Sequence, residues 1–516
     1  MAKSMEPQEI PSLSGLDIVR TLYRATSTRA DFHSADVVER LHIRTAVDDA
    51  IVKAANQRRV VLVTGNTGDG KTHLIRRIES EFPRGTEVNT DANESENSEL
   101  IQQISRALQE RQPLVMAINE GILLEVCEQA QKKHDWAAKL IGLILKPFDY
   151  GDGVKLPDSP IALFDLNLRN NLAEKSVSEA IDHITRLVPS APGLADQTLQ
   201  ANAERLRNPD VVTRVCTLLD VVGRSGFHAT MRDLMGFVAY LLCGGEDTAS
   251  GIRPYYVNAF NGGIGPLFDR VRQLDPIRLP SPFLDDRIYS AEDNADDWLL
   301  DAPDEMREAG NLESFRLRKR RAFFEHKEGI KILRTAVNEA DDRFNRLRDP
   351  DENPQVHAIG VLNRFFTPKD NRTDRLVLWL THKYHARTPR FMASRQHVDT
   401  DRFEVRIPRL PNALAEAFPQ FYPDHVVLAD RQMDTKDGLF IDRRLVQMLL
   451  EGDRVSGLGI RNAEAMAKVA SFYDRLARLN KPRDFVVRIL RLDTMAESTV
   501  GVNMAKRAYY LPGDAL

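Results

Sequence analysis

The chain of 516 residues has no apolar run close to the roughly 18 residues that a transmembrane helix requires. Its first 15 residues contain no apolar core segment of the kind found in secretory signal peptides. It also contains no internal repeat and no low-complexity tract. These absences predict a cytoplasmic protein without membrane contact, and the length predicts roughly two to four ordinary globular domains.

Cysteine is scarce, because Cys127, Cys216 and Cys243 are the three in the chain and they are far apart. Their spacing matches no zinc site, and each lies in an apolar segment with helical periodicity. We therefore expect buried, reduced thiols rather than disulfides or a thiolate metal centre.

The net charge is small, −4 at pH 7, but it is unevenly distributed. Residues 1–300 carry 33 Lys and Arg against 43 Asp and Glu, whereas residues 301–516 carry 38 against 32. A basic C-terminal part joined to an acidic part favours a nucleic-acid or acidic-protein partner. A difference of this size also arises by chance.

One motif is highly specific, the segment Gly65–Thr72 with the sequence GNTGDGKT. It follows the apolar run Val60–Val63 and precedes a helical pattern over His73–Ile78. The pattern G-x4-G-K-[ST] between a strand and a helix is that of a phosphate-binding loop. Glycines let the backbone wrap around a phosphate chain, and the start of the helix adds its positive dipole end.

This motif predicts binding of ATP or GTP, and we take ATP with Mg²⁺ as the ligand. Lys71 would reach the β- and γ-phosphates, and the Thr72 hydroxyl would bind Mg²⁺. The alternative, a glycine-rich turn without a ligand, would not require all the fixed positions and both flanks. The predicted nucleotide-binding residues are Gly65, Asn66, Thr67, Gly68, Asp69, Gly70, Lys71, Thr72 and His73.

Three further segments after the loop read as strands: Thr86–Asp91, Pro113–Ile118 and Pro160–Phe164. Helical stretches separate them, and continuous apolar runs are typical of strands that are buried on both faces. The predicted fold class is α/β, a P-loop NTPase parallel sheet with helices on both faces. Polar residues that follow these strands should gather at one edge of the sheet.

The predicted domain organisation has three parts. Residues 1–172 would hold an N-terminal helix from Ala35 to about Gln57 and the ATPase core. Residues 173–300 read as a helical lid followed by a loop-rich connector, and residues 301–516 as a basic α+β C-terminal domain.

Several residues resemble parts of AAA+ ATPases. The strand end Asn119-Glu120 lies 48 residues after Lys71, a spacing similar to that between Walker A and Walker B. In that register Asn119 replaces the usual Asp, and Glu120 stands where the water-activating Glu is usual. Asp165 ends another apolar run and competes as the metal-side carboxylate, together with Thr72. Each of these residues could instead simply end a strand.

The same resemblance implies roles for Asn167, at the γ-phosphate or the attacking water, and for Arg232 as a lid arginine. A surface salt bridge is the alternative for Arg232. Asp91 and Glu94 are a third acidic pair, with turn formation as the alternative. Candidates for an arginine supplied by a neighbouring subunit of a homo-oligomer are Arg169, Arg214 and Arg224.

Two basic stretches lie in the C-terminal part. Arg316–Arg321, beside Phe323 and Phe324, could contact nucleic-acid phosphates or form the solvated face of a helix. The second stretch contains Lys383, Arg387, Arg390 and Arg395 around His382, His385 and His397. No cysteine or paired carboxylate accompanies these histidines, so they indicate a metal only weakly.

The motifs GNTGDGKTHLI, NTDANE, AINEG, DLN, FHATMRDL, YYVNAFNGG and LDP span roughly residues 55–290. Together they resemble the ATPases of bacterial anti-phage restriction modules, namely the DptF-like proteins of phosphorothioation-dependent systems and the related SspD-like ATPases. This resemblance implies an ATP-hydrolysing subunit of a DNA-targeting defence complex whose partner supplies nuclease or helicase activity. Asn119 departs from the AAA+ pattern and leaves two alternatives open, an ATP-gated switch or scaffold with negligible hydrolysis and a nucleic-acid translocase.

Overall fold

A computed structural model describes residues 19–20, 22–23, 40–145, 147–151, 159–188, 197–245, 252–290, 311–334, 339–366, 372–378, 391–394, 396–454, 463–479, 486–491, 494, 496–503 and 508–510. The chain forms two compact units. The first unit comprises residues 1–145, 157–337 and 412–422, and the second comprises residues 146–156, 338–411 and 423–516.

The first unit begins with alternating helices and strands: α1 (Ala46–Asn56), β1 (Val60–Thr64), α2 (Lys71–Ile78), β2 (Glu87–Asn89), α3 (Asn97–Glu110), β3 (Leu114–Ala117), α4 (Glu120–Ala130), α5 (Asp135–Leu145) and β4 (Ile161–Asp165). The four strands form a parallel sheet in the order β2-β3-β1-β4. The predicted α/β class and parallel sheet are therefore confirmed. The chain places β2 and β3 on one side of β1 and then crosses to place β4 on the other side.

The sheet is buried on both faces because its central strands are apolar throughout. Every residue of β1 is buried. Leu62 and Met116 pack into a core cluster with residues of α3, α4 and α5, including Ile104 and Leu123. Helices α1 and α2 also contact the sheet, at β1 and β3 respectively. Burial on both faces is what continuous apolar strands require.

The predicted helix from Ala35 to Gln57 is not continuous in the described residues, where residues 40–41 are helical and a separate helix begins at Ala46. Residues 42–45 are not helical, and Thr45 is the N-cap of α1. The Thr45 backbone N–H donates to Asp48 Oδ2 at 2.9 Å, which completes a capping box. This local hydrogen bonding fixes the start of α1, because a capping box satisfies free N–H groups of a helix. The predicted cap Ser34 lies outside the described residues.

The rest of the first unit is helical: α6 (Glu174–Arg186), α7 (Gln197–Leu206), α8 (Pro209–Arg224), α9 (Met231–Cys243), α10 (Tyr255–Asn258), α11 (Pro266–Gln273), α12 (Pro282–Ser290), α13 (Leu312–Glu325), α14 (Lys331–Arg334) and the helix Asn412–Ala417. Except for Asn412–Ala417, which contacts α1, these helices share a hydrophobic core that contains Val177, Leu219, Phe237 and Phe323.

The division into units differs from the predicted domain boundary near residue 300. Helix α13 packs against α8, α10 and α12, and its Phe323 and Phe324 lie in the helical core of the first unit. The second unit starts again at residue 338. The sequence pattern does not reveal that α13 belongs to the first unit, because α13 is basic whereas the helices that it contacts are not.

The second unit combines helices with antiparallel strands: α15 (Glu339–Arg348), α16 (Pro354–Phe366), β5 (Arg375–Leu378), β6 (Phe391–Ser394), β7 (Gln396–Asp399), β8 (Phe403–Arg406), β9 (His425–Asp430), β10 (Leu439–Asp442), α17 (Arg443–Arg454), α18 (Ala463–Leu479), β11 (Val486–Arg491), β12 (Glu497–Asn503) and β13 (Ala508–Tyr510). The sheets have the orders β10-β9-β8, β13-β12-β11-β6 and β5-β7.

Residues 147–151 join the second unit through polar contacts. Tyr150 Oη lies 2.8 Å from His425 Nε2, and His425 Nδ1 lies 2.7 Å from Asp424 Oδ1. The hydrogen bond from His425 holds the pKa of Asp424 below its usual value. A backbone bridge between Asp149 and Arg409 adds to this attachment.

The cysteines and the helices bear on two sequence predictions. Cys127, Cys216 and Cys243 are free and buried, as predicted. Burial raises the pKa of the Cys127 thiol to about 12 and those of the other two to about 11, so they stay protonated at neutral pH. In the described part of the chain, no helix has both the length and the apolar composition needed to cross a bilayer.

Candidate functional site

The glycine-rich loop leaves the buried strand β1 and ends where α2 begins. Gly65, Gly68 and Gly70 have φ angles of +141°, +103° and +84°, a backbone conformation that residues with a side chain rarely adopt. Gly70 is the N-cap of α2, and Lys71 is its first residue. No side chain caps this helix, so its first N–H groups and its positive dipole end face the loop.

Lys71 is buried against the loop that precedes it. Its Nζ donates to the carbonyl oxygen of Gly65 at 2.7 Å and to that of Asn66 at 3.0 Å. Burial lowers the pKa of Lys71, while the carboxylates of Asp69 and Asp165 oppose that change. The ammonium group therefore lies within the loop, where it could pair with phosphate oxygens.

Asp69 is fully buried and turns its carboxylate inward. Oδ2 accepts a hydrogen bond from the Asn66 backbone N–H at 2.7 Å, and Oδ1 lies 3.2 Å from His228 Nε2. Arg169 donates to the Asp69 carbonyl oxygen at 2.5 Å. Sequence reasoning counted Asp69 as one loop residue among several and gave no role to His228, which is 159 residues away in the chain.

The predicted metal-side carboxylate lies next to the loop. Asp165 of β4 pairs with Thr64 of β1 in the parallel register of the two strands. Thr64 is the residue directly before Gly65, so Asp165 lies beside the start of the loop. Its Oδ1 accepts a hydrogen bond from the Asn167 N–H at 3.0 Å. Burial raises the pKa of Asp165 despite that bond, and the negative charges of Glu120 and Asp69 add to the increase. A cation bound here in addition to Lys71 would relieve the repulsion between Asp165 and the carboxylates of Glu120 and Asp69.

Glu120 is not at the end of a strand but is the first residue of α4, with Asn119 as the N-cap. The Asn119 N–H donates to Asn93 Oδ1 at 2.8 Å. Glu120 is exposed and faces a cavity of about 420 Å³. The cavity is lined by Gly65, Asn66, Thr67, Asn119, Glu120, Gly121 and Leu124. The structure thus brings Glu120 and the start of the phosphate loop to one cavity.

Thr72, the other predicted metal ligand, contacts the segment after β2. Its hydroxyl donates to the Thr90 carbonyl oxygen at 3.4 Å. Asp91 and Glu94, the third acidic pair, are exposed, and Asp91 Oδ2 accepts a hydrogen bond from the Thr90 hydroxyl at 3.3 Å. From this segment it is Asn93, rather than a carboxylate, that reaches Asn119.

Asn167 directly contacts the phosphate loop. Its Oδ1 lies 3.2 Å from the Asn66 backbone nitrogen, so Asn66 N–H is shared between Asn167 and the carboxylate of Asp69. The backbone N–H of Asn167 is itself held by Asp165. Asp165, two residues earlier in the chain, thus holds Asn167, the predicted partner of the γ-phosphate, beside the phosphate loop.

Arg232 lies at the start of α9, which is in contact with the loop. Thr230 caps the helix, and its N–H donates to Asp233 Oδ2 at 2.9 Å. The Arg232 backbone N–H donates to the Gly68 carbonyl oxygen at 3.1 Å. Its half-buried guanidinium has no hydrogen-bond or ion-pair partner among the described residues. The salt-bridge alternative for Arg232 therefore finds no support among them.

The three candidates for a trans arginine differ in position. Arg169 is bonded to the Asp69 carbonyl oxygen of its own loop, and burial lowers its pKa. Arg214 donates to the Lys327 carbonyl oxygen at 3.3 Å, and Arg224 pairs with Asp220 at 2.8 Å. Arg169 thus acts within its own chain, and the other two are engaged in local contacts.

His73, the last predicted nucleotide-binding residue, stacks on His42 with ring centroids 5.4 Å apart. His42 Nε2 is held 2.7 Å from Oδ1 of the buried Asp48. This contact joins the first turn of α2 to the segment that precedes α1.

The basic run Arg316–Arg321 is not a surface for nucleic acid. Arg318, Lys319, Arg320 and Arg321 are buried. Arg320 pairs with Asp275 at 2.7 Å, Lys319 with Asp285 at 2.6 Å and Arg321 with Glu325 at 3.0 Å. Neither predicted alternative holds for these four cations, because they lie inside the first unit, where Lys319, Arg320 and Arg321 pair with its acidic residues.

The second basic stretch lies largely outside the described residues. His397 is described, as an exposed residue of β7, whereas the remaining members of the stretch are not. In the described ranges, no group of three or more His, Cys, Asp or Glu residues could hold a metal ion by itself.

Comparisons with protein-family models, curated proteins and solved structures found no match.

Proposed function

We propose that this chain binds ATP with Mg²⁺ at the loop Gly65–Thr72 and hydrolyses it, as a P-loop NTPase with an AAA+-like site. The observation that carries the proposal is the meeting of Lys71, Asp165 and Glu120 around the start of the loop. The loop also lies where the chain crosses from one side of β1 to the other. In open parallel sheets, ligands bind at the carboxyl ends of strands at such a switch point.

In this proposal each residue of the site has its own role. Lys71 and the first N–H groups of α2 bind phosphate oxygens. Thr72 and Asp165 hold Mg²⁺, and hard oxygen donors of this kind, completed by phosphates and water, suit that ion. When bound, Mg²⁺ would neutralise negative charge on the phosphates. Glu120 accepts a proton from the attacking water, while Asn167 and Arg232 contact the terminal phosphate.

The carboxylate assignment is tested with a phosphate-release assay and a binding assay run in parallel. Glu120→Gln should keep ATP binding within about twofold and reduce turnover by about 10²–10⁴, because a positioned general base contributes that much. Unchanged turnover in Glu120→Gln would move the role of the base to Asp165.

The wider role that we propose is that of an ATPase subunit of a DNA-targeting bacterial defence complex, with a nuclease- or helicase-type partner. Support comes from the motif resemblance alone, because the buried basic cluster on α13 supplies no DNA surface. Turnover measured with and without DNA, in the presence of the proteins encoded by neighbouring genes, tests this role. If neither DNA nor those proteins change turnover, the role is rejected.

A second candidate function is an ATP-gated switch or scaffold that binds ATP and hydrolyses it negligibly. Two observations favour it: Asn119 stands where AAA+ ATPases usually have an Asp, and Glu120 is exposed. In the phosphate-release assay, tight ATP binding without measurable turnover, with or without DNA, would favour this switch over the hydrolase.

A further inference from the structure

Asp69 ties the phosphate loop to the segment that leads into α9. Its carboxylate has no exposed surface, so it needs hydrogen-bond partners inside the protein. One oxygen accepts the Asn66 N–H at 2.7 Å, and the other lies 3.2 Å from His228 Nε2. The same side chain therefore shapes the loop and holds His228.

A second contact joins α9 to the loop four residues after His228. The Arg232 N–H donates to the Gly68 carbonyl oxygen at 3.1 Å. The packing is tight as well, because a Cβ atom on Gly68 would lie 3.1 Å from Thr230 Oγ1 and 3.3 Å from Arg232 Cβ. The start of α9 is thus attached to the loop on both sides of its cap Thr230.

Nothing else in the described chain orients the Arg232 guanidinium. It is half-buried and makes no hydrogen bond or ion pair with described residues, so its direction follows from the backbone that carries it. A guanidinium binds phosphate oxygens well only in the right geometry, and small displacements are costly.

We propose that Asp69 and His228 are positioning residues that hold the start of α9 on the phosphate loop, so that Arg232 meets the terminal phosphate of ATP. This inference rests on the proposed ATP site and gives a role to the contact between Asp69 and His228, which the sequence did not predict. Because ADP lacks the terminal phosphate, the pair should favour ATP over ADP.

The test is a double-mutant cycle with His228→Ala, Arg232→Ala and the double variant, measured by calorimetric titration with a non-hydrolysable ATP analogue and with ADP in Mg²⁺. We expect each single variant to bind the analogue about tenfold more weakly, since charge-assisted hydrogen bonds are lost or misplaced. The double variant should bind it within about twofold of Arg232→Ala, because His228 acts through Arg232. ADP affinity should stay within about twofold throughout.

His228→Gln is the matched control, because its side-chain amide nitrogen can take the position of His228 Nε2 and still donate to Asp69. It should recover most of the affinity for the analogue, and it keeps the test informative if His228→Ala does not fold. If the double variant binds the analogue about a hundredfold more weakly than the wild type, the two substitutions act independently and the proposal is overturned. An equal loss of ADP binding would overturn it too, since it would mean that His228 only stabilises the loop.

Lys71→Ala separates this proposal from the one on which it rests. If Lys71→Ala binds the analogue as tightly as the wild type, the ATP site itself is misplaced. If Lys71→Ala loses binding while the effects of His228 and Arg232 multiply, the ATP site stands and the positioning pair is rejected.

Discussion

Thr64, the last residue of β1, is paired with Asp165, the last residue of β4, in the parallel register of the two strands. The phosphate loop starts at the next residue, Gly65, so it leaves the sheet directly beside the half-buried carboxylate of Asp165. This pairing explains why Asp165 and Lys71 influence each other electrostatically, although they are far apart in sequence. It also makes Asp165 the best-placed metal-side carboxylate of the described chain.

Asp165→Asn should be more stable than the wild type at pH 7 and should lose Mg²⁺-dependent ATP binding. Burial and neighbouring charges raise the pKa of Asp165 in the folded state. Its ionised form therefore destabilises the fold above that raised pKa, and the penalty vanishes below the pKa of the unfolded state, where both states are protonated. Melting temperatures at pH 7 and at acidic pH check this; a lower melting temperature for Asp165→Asn at pH 7 contradicts it.

The affinity for MgATP should fall as the pH is lowered. The fall should occur at a higher pH than it would if the pKa of Asp165 had the ordinary value of an Asp side chain. Mg²⁺ binds the ionised carboxylate, and the pKa of Asp165 is raised in part by Glu120. Glu120→Gln should therefore shift the loss of affinity to lower pH. Titrations of the wild type and of Glu120→Gln from about pH 4 to pH 8 measure the shift, and the protonation of ATP itself affects both proteins equally. A shift to higher pH in Glu120→Gln would be incompatible with this account.

Gly68→Ala should destabilise the protein more than Gly85→Ala does. Both glycines have a positive φ, +103° and +83°, so both substitutions introduce backbone strain of about 1–3 kcal/mol. A Cβ atom on Gly68 would also press on Thr230 and Arg232, whereas one on Gly85 would meet nothing within 4 Å. Chemical denaturation gives both free energies of unfolding; equal losses would show that the contact between loop and α9 is loose.

Arg320→Ala should cost about 3–5 kcal/mol of stability, because it leaves Asp275 buried without its cation. Arg316→Ala, on the same helix, removes an exposed ion pair with Glu313 and should cost about 1 kcal/mol or less. Neither change should alter DNA binding in a fluorescence anisotropy assay. Weaker DNA binding by Arg316→Ala, with unchanged stability, would restore α13 as a nucleic-acid surface.

The sequence predicted those parts of the site that are local in the chain. The loop, the strands beside it and the cap Thr230 depend on near neighbours, and the structure places them as expected. Contacts between distant residues left no such signal. His228 reaches Asp69 across 159 residues, and Arg320 reaches Asp275 across 45.

The same limit explains the two main differences from the prediction. Helix α13 reads as a basic surface in the sequence because Asp275 and Asp285, which pair with Arg320 and Lys319, are far from it in the chain. Glu120 reads as a strand end because the apolar run Pro113–Ile118 does not reveal where α4 begins. The start of α4 depends instead on contacts such as the hydrogen bond from the Asn119 backbone N–H to the side-chain oxygen of Asn93.

The most direct test of the central claim is the affinity of Lys71→Ala for MgATP, measured by calorimetric titration on protein shown to be folded by its melting curve. Lys71 Nζ lies inside the loop, 2.7 Å from the Gly65 carbonyl oxygen, where phosphate oxygens would replace that contact. The account predicts that Lys71→Ala stays folded and loses at least about a hundredfold in affinity, the equivalent of about 2.7 kcal/mol. Wild-type affinity in folded Lys71→Ala would contradict it.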